Sequence, residues 1–373
     1  MEWIDRQSHL DRALEAIRNA EAIAIDTEAD SLHSYFDKVC LIQISIPGFD
    51  YVIDPLASVD IAALGEILAD QSRTKILHGA DYDLRIMQRD FGFRIHNMID
   101  TMICAQLAGY EGVGLAALLK KHFNLLVDKT HQRADWAMRP LPPQMLDYAA
   151  LDTHHLLELS ARMRAELEQL GRWEWATEEF SRLEDIRFRE VDETDEAWRR
   201  LKGLNTLPRR SLAAVAFLFQ WRDATAREMD RPPFRVLGNE TLLEIARILP
   251  PDREKLGGIQ GMSRYVISRY GEPILAAVQK AAQTSEVDLP LRSEPKPWIR
   301  DRALEARTEK LKKVRDQIAG TLKIDSSVLA PRHVLSAIAA IKAPTSATLA
   351  EIPAMRNWQR QVAGDALIAA ISN

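Results

Sequence analysis

EAIAIDTEAD, residues 21–30, is a run of small and β-branched apolar residues that ends in acidic ones. Such a run, bounded by polar residues, is typical of a buried β-strand. Asp26 and Glu28 are two positions apart, so on a strand both side chains point to the same face of the sheet. Sites in α/β proteins tend to form at strand ends, and the stretch therefore predicts both a strand and a functional site.

The flanking sequence predicts more strands before helices take over. The predicted strands are VCLIQISI (39–46), YVID (51–54), TKILHG (74–79) and RIHNMID (94–100), and the predicted helices include 60–70, 81–91 and a segment from residue 101. MEWIDRQSHLDRALEAI (1–17) has the pattern of an amphipathic helix. Three strands followed by alternating helices and strands predict an α/β domain with a mixed sheet.

Three further residues extend the acidic pattern. Asp83 follows the predicted strand TKILHG, near the start of the next helix. Tyr148 and Asp152 are four positions apart on a predicted helix and share one face. Four converging carboxylates would repel one another and shift each other's pKa values.

Divalent cations would relieve that repulsion, and a ligand set made only of oxygen favours Mg²⁺ or Mn²⁺ over zinc. Two such ions can clamp an in-line phosphoryl displacement. Tyr148, with an ordinary pKa near 10, is a poor general base, but its hydroxyl can orient an attacking water.

The bulk composition describes an ordinary soluble globular protein. At 373 residues the chain is long enough for two or three domains, and 46% of its residues are hydrophobic and 28% charged. Cys40 and Cys104 lie in apolar runs, as buried thiols in a reducing compartment do. The charged start differs from a signal peptide, and no apolar run approaches the roughly 18 residues of a membrane span. We expect a cytoplasmic protein.

Charge divides the chain into an acidic front and a basic rear. Residues 1–195 carry 20 Lys and Arg against 35 Asp and Glu, whereas residues 196–373 carry 29 against 19. This favours metal ions in front and a bound polyanion behind, although solvated helix faces can also vary in charge. LEDIRFREVDETDE (183–196) and TSEVDLPLRSEPKPW (284–298) read as linkers, so we predict domains at 1–190, 194–283 and 296–373.

The acidic motifs resemble those of the DEDD exonucleases, and within them ribonuclease D. The matching motifs are DTE, H-x4-D and Y-x3-D, together with ADWAMRPLPPQMLDYAALD (134–152). The resemblance implies an RNase H-like exonuclease domain that binds two divalent ions, Mg²⁺ or Mn²⁺. It further implies that Asp26, Glu28, Asp83 and Asp152 are the metal ligands and Tyr148 is the water-positioning residue.

The basic rear resembles an HRDC domain over residues 197–250. The matches are Trp221, Arg222, Ala226, Arg227 and Glu228, then PPFRVL and LLEIA. Arg199, Arg200, Lys202, Arg209 and Arg210 form a cluster that could bind phosphates without reading sequence; the alternative is a packing module with a solvated basic face. The resemblance also implies a second, HRDC-like module at 296–373, so the predicted fold is an α/β domain followed by two all-α domains.

Other side chains near the motifs have less specific signals. We expect His78 to be a hydrogen-bonded structural residue and Asp100 to be a helix N-cap or a group behind the metal ligands. Trp136 could line the substrate groove or be buried beneath the helix of Tyr148. Arg133 could meet a phosphate or be solvated.

The resemblance implies a 3′→5′ exoribonuclease that trims structured RNAs such as tRNA precursors and releases nucleoside 5′-monophosphates, and we expect a monomer. Two alternatives stay open from the residues alone. One is a 3′→5′ exonuclease acting on DNA, since the same motifs serve proofreading. The other is a non-catalytic scaffold that binds nucleic acid.

Overall fold

The computed structural model describes residues 1–128, 130–189, 196–292 and 301–372. These form two compact units. The first comprises residues 1–29, 39–188 and 301–372, and the second comprises residues 30–38, 189 and 196–292. Within the two predicted linkers, residues 190–195 and 293–298 lie outside the described residues.

A six-stranded mixed sheet forms the centre of the first unit. Its strands are β1 (Glu2–Ile4), β2 (Ala22–Ala29), β3 (Val39–Ile46), β4 (Phe49–Ile53), β5 (Thr74–Leu77) and β6 (Met98–Asp100). They are ordered β1-β4-β3-β2-β5-β6, with β2, β3 and β4 antiparallel and the remaining pairs parallel. The mixed sheet predicted from the sequence is confirmed.

Helices cover both faces of this sheet. Those of residues 1–188 are α1 (Gln7–Asn19), α2 (Ala62–Ala69), α3 (Asp81–Phe91), α4 (Thr101–Ala108), α5 (Leu115–Phe123), α6 (Pro143–His154), α7 (Leu156–Gln169) and α8 (Trp173–Glu184). On β3, Leu41 packs with Met145 and Ala149 of α6, whereas Ile42 and Ile44 belong to the main core with α1 and α7. Alternate residues of β3 therefore face opposite layers, and both layers are buried.

The N-terminus differs from the predicted helix over residues 1–17. The helix begins only at Gln7, because Glu2–Ile4 pairs in parallel with Tyr51–Ile53 as β1. Ile4 is fully buried, and its carbonyl accepts a 2.9 Å hydrogen bond from the Asp54 amide. A strand of three residues is too short to show a periodic pattern in the sequence, and its partner lies about fifty residues away.

The C-terminal helices belong to the same unit as the sheet. They are α14 (Arg302–Leu322), α15 (Ser326–Leu329), α16 (Arg332–Ala340), α17 (Ser346–Ala350) and α18 (Asn357–Ile371). Trp358 of α18 stacks on Trp175 of α8, with ring centroids 4.7 Å apart. Glu179 accepts hydrogen bonds from Arg356 (3.0 Å) and from the Trp358 indole (2.9 Å). Residues 301–372 thus complete the core of the first unit.

Two backbone features tie α14 to the earlier part of the chain. The buried Arg172 guanidinium donates to the carbonyls of Leu107 and Leu322, each at 2.7 Å. Gly109 has φ +84°, and a β-carbon there would collide with the Lys323 carbonyl oxygen. Only glycine accommodates both the positive φ and this close approach.

The second unit is helical apart from the segment 30–38. Short 3₁₀ turns at Ala197–Arg200 and Leu204–Thr206 precede α9 (Arg209–Glu228), α10 (Pro233–Val236), α11 (Asn239–Ile248), α12 (Arg253–Gly257) and α13 (Arg264–Gln283). Segment 30–38 joins β2 to β3 and packs on α9. The Tyr35 hydroxyl donates to Asp223 at 2.9 Å, and the Tyr35 and Phe36 amides donate to Asp230 at 3.0 and 3.2 Å.

Across both units, no helix of the described residues has the length and apolar character needed to cross a bilayer.

Candidate active site

Strand β2 and helix α6 bring three predicted residues together. Asp26 and Glu28 project from the same face of β2, and α6 packs across β2, β3 and β4 on that side. Asp152 lies on α6, one turn after Tyr148. One carboxylate oxygen from each of Asp26, Glu28 and Asp152 lies within 4.8 Å of the others. The three acids therefore form a compact oxygen cluster.

Asp83 lies beside this cluster and is hydrogen-bonded to Thr27. It is in the first turn of α3, is buried, and accepts a hydrogen bond from the Thr27 hydroxyl. The cluster of three oxygens does not include it, yet its negative charge raises the pKa of Asp26. Thr27 was missed by the sequence argument, because its side chain lies on the opposite face of the strand pattern from Asp26 and Glu28.

The crowding of carboxylates changes their acidity. Burial, followed by the charges of Asp83, Asp152 and Glu28, raises the pKa of Asp26 well above its ordinary value. Burial and the neighbouring acids raise the pKa of Glu28 to about 9. Burial raises the pKa of Asp152 to about 7 and that of Asp83 to about 6, where the Thr27 hydrogen bond opposes the shift. Each shift favours the protonated form of its carboxyl group when no cation is bound.

Tyr148 is held at the edge of the cluster by aromatic contacts. Its ring lies 6.1 Å from that of Trp136 and 5.9 Å from that of His131, measured between centroids. Burial, then the charges of Asp152 and Glu28, raises the pKa of the Tyr148 hydroxyl above its ordinary value. The hydroxyl therefore stays protonated at neutral pH and can act as a hydrogen-bond donor.

A cavity of about 570 Å³ opens over the cluster. The N-terminus of α5 lines it through Gly114–Ala117, together with His78 and Gln132. The N-cap of α5 is Gly114, which has no side chain to cap the helix, so the helix presents its partial positive charge to the cavity. The sequence analysis did not identify this helix start; Gly112 and Gly114 ahead of the apolar stretch LAALL were the available signal.

His78 and Asp100, the two residues expected to have supporting roles, are both held by hydrogen bonds. His78 Nδ1 shares a 2.9 Å hydrogen bond with the Thr101 hydroxyl, as expected for a structural histidine. Asp100 caps α4 by accepting from the Met102 amide at 2.8 Å, and it also accepts from the Ala80 amide at 2.8 Å. It thereby joins the start of α4 to the turn that leads into α3.

The Asp-Trp and Arg-Pro-Leu segment anchors α6. Arg139 forms a two-point ion pair with Asp54 at 2.6 and 2.7 Å and donates to the carbonyls of Trp136 and Cys40. Trp136 is 1% exposed beneath Tyr148. Of the two roles considered for Trp136, the structure supports that of a buried support for Tyr148.

Three of the five basic residues in the second unit's cluster are half-buried and bind backbone carbonyls. Arg209 donates to the Leu289 carbonyl at 2.6 Å, Arg210 to that of Ala282 at 2.7 Å, and Arg199 to that of Leu291 at 3.0 Å. These three arginines hold the chain after α13 against the start of the unit. The packing alternative therefore describes them better than a phosphate-binding patch, whereas Lys202 is exposed.

Family models match most of the chain. A model described as 3′-5′ exonuclease matches residues 1–168, and an HRDC domain model matches residues 211–278 and again 305–371. The second HRDC match bears out the helical module expected at the C-terminal end.

Curated proteins and solved structures agree with these matches. Ribonuclease D of Granulibacter bethesdensis is 32% identical over 94% of this chain and 88% of its own length. Ribonuclease D of Escherichia coli K12 is 33% identical over 86% and 85%. The crystal structure of E. coli RNase D covers 99% of this chain and 98% of its own at a TM-score of 0.70 and 28% identity. A Bifidobacterium adolescentis protein, 25% identical, has a TM-score of 0.84 over 100% of this chain and 97% of its own.

Proposed function

The chain belongs to the ribonuclease D family and is a 3′→5′ exoribonuclease, and from this premise we propose that it trims the 3′ ends of structured RNAs such as tRNA precursors by two-metal-ion hydrolysis. One observation carries the proposed mechanism: oxygen atoms of Asp26, Glu28 and Asp152 lie within 4.8 Å of one another. Such close carboxylates favour divalent cations. An acidic cluster within a 3′-5′ exonuclease domain fits the use of divalent metal ions.

The donor set fits hard divalent ions. Asp26, Glu28 and Asp152 offer only oxygen, as Mg²⁺ and Mn²⁺ prefer, and cation binding would remove the repulsion that raises their pKa values. We assign Asp83 as the fourth ligand, since its charge acts on both Asp26 and Glu28; ligation would replace its hydrogen bond with Thr27. Two bound ions would lower the pKa of an attacking water and stabilise charge on the leaving 3′ oxygen.

The protein's own groups position the reactants. The protonated Tyr148 hydroxyl donates a hydrogen bond that orients the attacking water, and the α5 N-terminus favours a phosphate in the cavity. The water oxygen bonds to phosphorus as the bond to the 3′ oxygen breaks. The products are a nucleoside 5′-monophosphate and an RNA shortened by one residue with a free 3′ hydroxyl.

The expected substrate follows from the relatives. The E. coli structure is described as that of an exoribonuclease involved in structured RNA processing, and an RNA substrate fits the two HRDC matches. Precursor tRNA is our choice within that class. We also propose that the enzyme is monomeric and cytoplasmic; the buried free thiols of Cys40 and Cys104 are consistent with a reducing compartment.

A digestion assay tests this function directly. A 5′-labelled tRNA transcript with a 3′ extension is compared with an unstructured RNA and a single-stranded DNA of equal length, each with Mg²⁺, Mn²⁺ or EDTA. We expect a metal-dependent ladder that shortens from the 3′ end of both RNAs and stops near the acceptor stem of the tRNA. Chromatography of the released mononucleotides should give 5′-monophosphates.

Any other result of the digestion assay contradicts a specific part of the proposal. Equal trimming of DNA would remove the preference for RNA, and digestion through the acceptor stem would remove the trimming role. Products with a 3′ phosphate would contradict the displacement of the 3′ oxygen. Cleavage that persists in EDTA would contradict the metal requirement.

A further inference from the structure

We propose that Gln43 is a positioning residue whose side-chain amide orients the Asp26 carboxylate for metal binding, an inference that rests on the function proposed above. Gln43 lies in the middle of β3 and is 0% exposed. Neither its Nε2 nor its Oε1 has a hydrogen-bond partner among the residues that the structure describes. A buried amide without partners destabilises a fold, so its presence in a largely apolar strand needs a reason.

The register of the sheet supplies the first part of that reason. Gln43 is paired with Asp26 across the antiparallel strands β3 and β2. Side chains that are directly opposed in such a pair lie on the same face with their β-carbons close together. Gln43 therefore lies next to Asp26 on the face from which the acidic cluster is built.

The contacts of α6 identify the same face independently. Ser45, two residues after Gln43, shares a 2.7 Å hydrogen bond with the Thr153 hydroxyl on α6. Leu41, two residues before Gln43, packs with Met145 and Ala149 of that helix. Because side chains alternate along a strand, Gln43 lies between these two contacts, beneath the helix that carries Asp152.

On this face Ser45, Asp50 and His154 are engaged with one another, whereas the buried Trp136 indole N–H, in the layer of Leu41 and Val52, has no hydrogen-bond partner among the described residues. The Ser45 hydroxyl donates to Asp50 at 2.7 Å, and Asp50 also contacts His154 at 2.8 Å. The cross-strand neighbour on the other side is Val52, which is apolar. Asp26 is the carboxylate that the register sets opposite the Gln43 amide. No hydrogen bond joins the two side chains in the structure, and in this proposal the Gln43 N–H donates to Asp26 when Asp26 binds a cation.

The chemistry of metal sites explains why an enzyme would keep such a group. Carboxylates that bind metals are held in orientation by hydrogen bonds from residues behind them, and loss of such a partner costs about 10–100-fold in metal affinity or activity. A neutral amide can orient the carboxylate without competing with the cation. The positive charge of a lysine or arginine would compete. Gln43 combines this chemistry with complete burial.

The test replaces the amide by an apolar group of the same length. Gln43→Met is compared with the parent protein, with Gln43→Leu as a second apolar variant and with Ser45→Ala as a neighbour on the same face that does not oppose Asp26. The measurements are calorimetric affinity for Mn²⁺, melting temperature in EDTA, and kcat and KM on a 3′-tailed RNA.

We expect Gln43→Met and Gln43→Leu to bind Mn²⁺ about 10–100-fold more weakly than the parent. Their melting temperatures in EDTA should be unchanged or higher, because an unpaired buried amide has been removed. Saturating Mn²⁺ should restore kcat, with KM for RNA unchanged. Ser45→Ala should bind Mn²⁺ as the parent does.

Two results would overturn the inference while leaving the proposed function intact. One is parental Mn²⁺ affinity in both apolar variants. The other is loss of metal-free stability, or failure to fold, in both, since Gln43 would then be a packing residue. If the parent protein itself binds no divalent ion, the proposed function fails and this inference fails with it.

Discussion

The indole rings of Trp175 and Trp358 are stacked, with centroids 4.7 Å apart and planes inclined by 13°. Trp175 belongs to α8, which follows the helices of the active site, and Trp358 belongs to α18, near the end of the chain. Glu178 and Glu179 flank this stack and accept hydrogen bonds from the start of α18. The last HRDC match is therefore structurally part of the nuclease unit.

Trp358→Ala should destabilise the whole first unit. Trp358 is 2% exposed, and truncation of a buried aromatic residue costs about 3–5 kcal/mol. Urea unfolding followed by fluorescence or circular dichroism measures the effect, with exposed Lys342→Ala on the same segment as the control. If residues 301–372 unfold in the variant while the rest of the first unit keeps its parental stability, the two parts do not share a core.

Asp26→Asn and Asp152→Asn should each abolish hydrolysis while RNA binding persists. Loss of a ligand removes several kcal/mol of charge stabilisation, so the rate should fall on the order of a thousandfold or more. Single-turnover digestion gives the rate, and fluorescence anisotropy of labelled RNA in EDTA gives the affinity. Substantial cleavage by either variant would show that the metal ligands lie elsewhere.

Tyr148→Phe should lower kcat and leave metal affinity unchanged. The variant retains the ring that packs on Trp136 but loses the hydroxyl that donates to the attacking water, and a hydrogen bond of that kind corresponds to roughly a tenfold to hundredfold change in rate. Steady-state kinetics and Mn²⁺ calorimetry separate the two effects. An unaltered kcat would remove the assigned role, and a weakened metal affinity would indicate a structural one.

The metal-free protein should lose stability as the pH rises. In the folded state the pKa is about 7 for Asp152 and about 9 for Glu28, whereas their ordinary values are 3.8 and 4.5. The folded state thus binds more protons between these limits. The stabilising contribution is complete below about pH 4 and is lost as the pH rises through 7 and 9.

Melting temperatures from pH 5 to pH 9 test this, with Asp152→Asn as the matched variant. In EDTA the melting temperature of the parent should fall relative to that of the variant as the pH increases. Millimolar Mg²⁺ should raise the parental melting temperature, and more at pH 8 than at pH 6, because deprotonated ligands bind the cation. If the difference in melting temperature between the parent and Asp152→Asn depends on neither pH nor Mg²⁺, a preformed acidic metal site would be refuted.

Arg210→Ala and Lys202→Ala should have opposite consequences. The Arg210 guanidinium donates to the carbonyls of Ala281, Ala282 and Thr284, so its loss should destabilise the second unit by about 1–3 kcal/mol and leave the salt dependence of RNA binding unchanged. Lys202→Ala should leave stability unchanged and reduce the salt dependence. Thermal melts and anisotropy at several salt concentrations distinguish these results.

Much of the acidic site could be predicted because it follows local periodicities. The spacing of two on β2 and of four on α6 sets which faces Asp26, Glu28 and Asp152 occupy, whatever the rest of the fold does. The N-cap role of Asp100 is local for the same reason. Asp83 was also found by its motif, but its hydrogen bond with Thr27 depends on how α3 lies against β2.

The features that could not be predicted depend on contacts between distant segments. β1 exists because residues 2–4 pair with β4, and the internal role of Arg209 depends on a carbonyl eighty residues later. Gln43 was visible as a polar residue within the run VCLIQISI, but its pairing with Asp26 and the lack of a hydrogen-bond partner among the described residues depend on how the strands assemble. Composition showed that residues 196–373 are basic, but it could not show which arginines bind backbone carbonyls within the fold.

Segment 30–38 has a consequence for how the protein is made. Its amides at Tyr35 and Phe36 bind Asp230, and its Tyr35 hydroxyl binds Asp223, almost two hundred residues further along the chain. A ribosome adds about 5–20 residues per second, so these partners emerge roughly ten to forty seconds after the segment. During that interval β2 and β3 can pair, but the segment that connects them cannot form its hydrogen bonds until Asp223 and Asp230 have been synthesised.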